Sequence, residues 1–462
     1  MRIARARILR LIGGLALLLS LASCFKDDAF SARAGWGSST YYRSSLRTDP
    51  VSTGLLADRQ VMIMVSAGYN SIQRYLKEDL EELMASELPA GNALEEHVLV
   101  VLSHLPAGQE PFTSGVPVLY RVYADPSGQV VCDTLQRWGP EDSLCDPDLF
   151  HEALDLVQRR FPARNYGMVF SSHATGWLPH RYYFNPSDAD PQYSPEGGRS
   201  TAARKMRAWR PGSYAFPLIE TQEGEPAVKS IGEEDMDSGV KLEMELEDFA
   251  AAIPMHLDYL LFDACLCGCV EVADALRGKA DLVGFSPTEV LADGLNYKTL
   301  TQRLLCAKPD PEDVCRDYFE NYAAQSDIFQ SATITLVDTR RMEPLESICR
   351  ELFSRYREPI GQLKGGRVQG YFRFDRHFFY DLKDILVQAG ITEQEQEQLD
   401  AALDQCIVYK AATPWFYKGG SYGFPIYRYS GFSMYLPSMG SDLLDTHYKE
   451  HISWNRATGL VQ

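Results

Sequence analysis

The stretch "YLLFDACLCGCVEVADAL", Tyr259 to Leu276, sets Cys265, Cys267 and Cys269 at alternate positions. Thiols grouped in this way serve metal binding, disulfide formation, packing or nucleophilic attack, and each role demands a different spacing. Common zinc sites use spaced cysteine pairs, which a C-x-C-x-C run lacks, so no metal is expected here. The residues after Cys265 read as a turn and helix. Positions two apart on a helix diverge by about 200°, so the three thiols do not share one role. Cys267 and Cys269 are expected to pack, leaving Cys265 as the candidate nucleophile.

A second stretch, "YGMVFSSHATGW" (166–177), puts His173 just past the end of an apolar run, as "LLFDACLCG" does Cys265. In an open parallel sheet, ligands bind beyond the carboxyl ends of the strands. Neighbouring strands would therefore bring these two residues together although they are far apart in sequence. An imidazole near a thiol stabilises the thiolate and makes it a nucleophile, and a helix starting beside the sulfur favours the same charge. A small buried cysteine at a strand–helix junction is the plainer reading of the pattern taken alone.

The elements needed to hold such a pair are legible along the chain. An apolar run at 61–65 turns through Ser66–Asn70 into a helix with Ile72, Tyr75, Leu76, Leu80 and Leu83 on one face. Strands are expected at 97–105, 116–125, 128–135, 166–177, 257–265, 280–287 and 331–338, with a late one at 430–438. Helices are expected at 147–162, 242–253, 269–278, 342–364 and 393–406. Strands alternating with helices give right-handed βαβ units and an α/β fold with a mostly parallel sheet covered on both faces. A long polar stretch, 178–235, interrupts this order, and segments of that kind are functional or disordered. Past residue 300 the alternation weakens into an α+β extension, 301–462, packed on or continuing the same sheet.

The ends and the charge bound the setting. "MRIARARILR" and the short apolar run after it read as a secretory signal, and Leu21-Ala22-Ser23-Cys24 resembles the bacterial lipobox. That resemblance implies cleavage after residue 23, lipid (palmitate among the acyl chains) on Cys24, and a tether over 24–54. It implies a place in the bacterial cell envelope, anchored to a membrane rather than spanning it. The net charge of −18 excludes nucleic acid as a natural partner. Nine cysteines remain beyond Cys24, an odd number. Cys132 with Cys145 and Cys306 with Cys315 are close enough in sequence to be disulfide candidates.

In their order, "VMIMVSAGYNSIQ", "YGMVFSSHATGW", "LDYLLFDACLCGCVEVADALRGKADLVGFSPTEVLADGLNY" and "SGFSMYLP" together resemble the clostripain-type cysteine peptidases of the caspase–gingipain–legumain group. The likeness covers 60–300 well and 330–440 loosely. It implies a caspase-like α/β/α sandwich over 55–300 and a monomeric endopeptidase acting on peptides or proteins. Cys265 is implied as nucleophile and His173 as general acid/base. The backbone N–H groups of Cys265 and of the histidine loop at Ala174, where the family has glycine, would hold the oxyanion. Asp263 is implied in the S1 pocket, selecting Arg or Lys, with Asp293 as a second pocket carboxylate; a helix cap and a turn residue are their plainer roles. Some family members cut themselves between histidine and cysteine. Arg199, Arg204, Lys205, Arg207 and Arg210 offer such sites, though a solvated basic loop fits equally. No cofactor is required. The acidic run 232–237 is either a calcium site of the kind the family sometimes uses or a solvated loop. His104, His151, His180, His256 and His377 read as ordinary surface or core histidines. The competing function is a catalytically silent surface lipoprotein that keeps the fold to bind peptides or partner proteins.

Overall fold

The segment QVMIMVSA, β1 (Gln60–Ala67), is buried at every position, as a strand covered on both faces requires. The computed structural model describes residues 59–91, 96–180, 182, 234–235, 241–373, 377–420 and 422–462. Cys24, the basic positions 199–210 and most of 232–237 lie outside the described residues.

Eight further strands join β1 in one sheet: β2 (His97–His104), β3 (Val118–Ala124), β4 (Val130–Arg137), β5 (Asn165–Ser172), β6 (Leu257–Asp263), β7 (Ala280–Phe285), β8 (Thr333–Asp338) and β9 (Ile407–Ala412). Their order is β9-β8-β7-β6-β5-β1-β2-β3-β4. The central five, β7-β6-β5-β1-β2, are parallel neighbours. Antiparallel pairings extend the sheet at both edges. This is the large, mostly parallel sheet of a caspase-like α/β fold.

Helices cover both faces. On one side α1 (Gln73–Met84) packs on α5 (Tyr297–Leu304), which meets α6 (Pro311–Ala323). On the other lie α2 (Pro147–Arg160), α3 (Leu246–Ala252), α4 (Val270–Ala275) and α11 (Ser453–Thr458), each against the next. There α11 also meets α7 (Glu343–Gly361), which carries α8 (Leu382–Ala389) and α9 (Glu393–Cys406); α10 (Asp442–His451) precedes α11. Local chemistry starts several of them. Asp146 caps α2 by accepting from the N–H groups of Asp148 and Leu149, with Pro147 in the first turn. Thr392 and Glu395 form a reciprocal capping box on α9.

Four readings of the sequence change. The expected strand 166–177 ends at Ser172, which leaves His173 in the loop. The late strand 430–438 is not in the main sheet: only Ser433 and Met434 pair, with Tyr380 and Asp381. Its Gly431, at φ +103°, and Pro437 bound so short an element. The edge strand β9 was not expected at all. It alternates half-buried and exposed positions without an apolar run, which gives a strand beside solvent little signal in sequence. All nine described cysteines are free thiols, so neither Cys132 with Cys145 nor Cys306 with Cys315 forms a disulfide.

Candidate active site

Strands β7, β6, β5 and β1 are consecutive neighbours, so their carboxyl ends form one rim. In the β5–β6 register Ser171 faces Asp263. His173 and Cys265 each follow that pair by two residues, so they leave the sheet at the same height on adjacent strands, which run about 4.8 Å apart.

The side chains are held by the outer strands of the rim. Cys265 is 0% exposed. Its Sγ accepts from the Val290 N–H at 3.0 Å and donates to the Val290 carbonyl at 3.7 Å, on the loop after β7. Next to it Leu266 takes φ +60° and donates its N–H to the Thr288 carbonyl. Gly268 donates to Ser286, and a Cβ there would come within 2.2 Å of the Pro287 nitrogen. The glycine is therefore required for the turn to lie against the β7 loop. His173 is 7% exposed, and its Nε2 sits 3.2 Å from Ser71 Oγ in the turn after β1.

His173 also lines a small cavity of about 110 Å³, walled by Phe170, Phe249, Phe262 and Met244, that includes Ala174. Cys267 shares this cavity. Burial pushes the Cys267 thiol up to about 12 and that of Cys269 well above the usual range, so both remain protonated and poorly nucleophilic near neutral pH.

Asp263, the last residue of β6, is 1% exposed. Its Oδ2 accepts from the Tyr297 hydroxyl at 2.5 Å and the Ser171 hydroxyl at 3.2 Å. Tyr318 and Tyr322 lie within reach of its charge, which with burial raises both phenols. Asp293 is exposed, in the turn closed by Gly294 (φ +60°). Its charge also reaches Tyr322, whose hydroxyl bonds the Gly294 carbonyl. The two carboxylates thus flank one tyrosine-lined interior from different depths.

Further site residues carried no signal in sequence. Glu289, between the two residues that bind the Cys265–Leu266 turn, is fully buried and paired with Arg373, Oε2 to Nε at 2.6 Å and Oε1 to Nη2 at 2.8 Å. The Arg373 guanidinium stacks 4.0 Å from the Tyr417 ring centre. Only the fold brings these segments together. Ser71 stood in the first quoted motif, but its role depends on where β1 lies. Of the histidines read as ordinary, His151 bonds the Ala252 carbonyl and His256 bonds Asp281. The His180 backbone N–H meets Glu245, and His104 packs on Tyr69.

A family model, that of the clostripain family, matches residues 220–411, a span that holds Asp263, Cys265, Glu289, Asp293 and Arg373. Over that span the chain is similar to the clostripain family, and the match supports a cysteine peptidase. Among curated protein sequences no match is found. Among solved structures, the chain is similar to a C11 protease from Parabacteroides distasonis described as an inactive zymogen: 22% identity, TM-score 0.64, 87% of this chain and 98% of that one. It is similar too to a secreted C11 cysteine protease from Bacteroides thetaiotaomicron bound to an irreversible peptide inhibitor: 19% identity, TM-score 0.65, covering 87% and 99%. At these identities the likeness is one of fold, and it extends to β1–β5, which the family model leaves out.

The helix after the cysteine turn carries a titratable anchor for the peptidase. Glu271 is fully buried, and its Oε1 accepts from the Tyr435 N–H at 2.9 Å and the Tyr448 hydroxyl at 2.7 Å. Burial raises its carboxyl to about 7 from an ordinary 4.5. Because the folded value is the higher, this group stabilises the fold fully below about pH 4.5 and loses that contribution as pH rises through about 7. The loss amounts to about 3 kcal/mol. Denaturant unfolding of Glu271→Gln against the parent should show the gap between them shifting by about that amount between acid and mildly alkaline pH. Parallel curves would refute the assignment.

Proposed function

We propose that the chain is an endopeptidase cutting after Arg or Lys through a Cys265–His173 dyad. The shared register of the two residues beyond the Ser171–Asp263 pair carries this reading. Cys265 attacks the scissile carbonyl and forms a thioester. His173 protonates the leaving amine and then activates water, while the N–H groups of Cys265 and Ala174 receive the oxyanion.

Cys265 Sγ bonds the Val290 N–H and His173 Nε2 bonds Ser71 Oγ. We propose that the uncut chain is latent, a view that the likeness to a protease described as an inactive zymogen supports. We further propose that activation accompanies self-cleavage near Arg204, Lys205 or Arg207, and that the mature chain is lipid-anchored at Cys24 in the cell envelope. Intact-mass measurement of membrane-extracted protein tests both. Active protein should show acyl chains at Cys24 and two fragments, and Cys265→Ala one uncut chain. Identical single-chain masses would sink the processing, and an unmodified N-terminus the anchor.

Two observations favour other readings. Cys267 shares the cavity with His173, and the full burial of Cys265 suits a silent peptide-binding lipoprotein. Labelling by an arginyl chloromethyl ketone separates the three. The dyad requires labelling on Cys265 that is lost in both Cys265→Ala and His173→Ala. A label on Cys267, or no label with any basic probe, overturns it.

A further inference from the structure

Outside the rim, a cleft of about 760 Å³ is lined by residues 365–370, 372, 373, 377, 380, 384 and 388 on one side and by 422–425, 427 and 428 on the other. Its floor includes Arg373. Two of that guanidinium's nitrogens are committed to Glu289, but Nη1 is buried with no hydrogen-bond partner among the described residues. A buried donor left unpaired is costly and is normally satisfied by something.

The cleft offers donors and hides its acceptors. Among the described residues Asp384 is its one carboxylate, and it is spent: it accepts from the Gln369 N–H at 2.7 Å, from the Gln388 amide at 3.1 Å and from Arg428. Arg367 stands exposed at the edge and makes no ion pair among the described residues. His377, pressed on the Tyr380 ring at 4.3 Å, is kept neutral by burial. On a chain of net charge −18 this is a locally cationic hollow. It also has an aromatic wall. Tyr427 is 83% exposed beside the half-buried Phe424, although a large ring gains by being covered.

We propose that this cleft binds a carboxylate-bearing segment of the peptide substrate. Arg367 and Arg373 Nη1 donate to its oxygens, and Tyr427 with Phe424 covers a neighbouring apolar side chain. Arg373 links the two regions, since it lines the cleft and pairs with Glu289, the neighbour of the Val290 that holds Cys265. The substrate so described has a basic residue at the cut and an acidic one some residues away along the extended chain. The word "substrate" rests on the endopeptidase reading; the binding itself does not.

The test uses the full chain as Cys265→Ala, which cannot turn over, and two fluorescein-labelled peptides sharing a central Phe, one glutamate-rich and one lysine-rich. Anisotropy titration at low salt should show the glutamate peptide binding at least about tenfold tighter, against the net charge of the protein. Adding Arg367→Glu, at an exposed position that leaves the core untouched, should remove that preference. Tyr427→Ala should weaken both peptides alike. Equal affinities for the two peptides, or a preference that survives Arg367→Glu, would overturn the proposal. Its failure is distinct from that of the endopeptidase reading. Binding through Arg367 without hydrolysis of any basic peptide by the parent sinks the peptidase reading alone. Hydrolysis with flat titrations sinks the cleft alone.

Discussion

Cys265→Ala should abolish peptide hydrolysis, a fall of about 10⁴-fold or more in kcat/KM, while Cys267→Ala keeps most of it. The two thiols are two residues apart and both buried, so position alone does not separate them. Chemistry does. The Cys267 thiol is pushed up to about 12 by burial. Cys265 instead accepts an N–H from Val290 and stands two residues past the Ser171–Asp263 pair, level with His173 on the adjacent strand. His173→Ala should cost about as much as Cys265→Ala, and the double variant no more than either, because groups acting as one unit are not additive. Single-turnover assays on an arginyl peptide read all four variants, and activity retained in Cys265→Ala would overturn the assignment.

The second large effect concerns selectivity. Asp263→Asn should lower kcat/KM for Arg and Lys peptides by about 10²–10³-fold while leaving peptides with a neutral residue before the cut nearly unchanged. The amide keeps the shape and still accepts from Tyr297 and Ser171, so the variant removes charge and little else. A buried carboxylate meeting a guanidinium forms a charge-assisted pair whose loss costs several kcal/mol. If Asp263 merely anchors Tyr297, both peptide classes would slow together. The ratio of basic to neutral rates is therefore the deciding quantity. Asp293→Asn, at an exposed position, should change that ratio by a small factor only, since solvent screens its charge.

Much of this architecture was legible because the central strands are buried on both faces. Continuous apolar runs such as VMIMV and VLVVL followed by amphipathic helices admit few other folds. The edges were less legible. A strand like β9, with one face toward water, has no run to recognise, and the pairing of Ser433 with Asp381 depends on partners far away in sequence. The fully buried Glu289–Arg373 pair lay outside any local pattern for the same reason: the two residues are 84 positions apart.

For the candidate site, the sequence by itself determined which residue types stand at the strand ends: a histidine after β5, an aspartate closing β6 and a cysteine after it. Local rules of burial and turn formation suffice for that. Tertiary structure decided what those side chains touch. It brought β5 and β6 into equal register, turned the sulfur toward Val290 and the imidazole toward Ser71, and buried Asp263 under Tyr297. Side-chain direction at a strand end is set by the loops of the neighbouring strands, and those loops belong to remote parts of the chain.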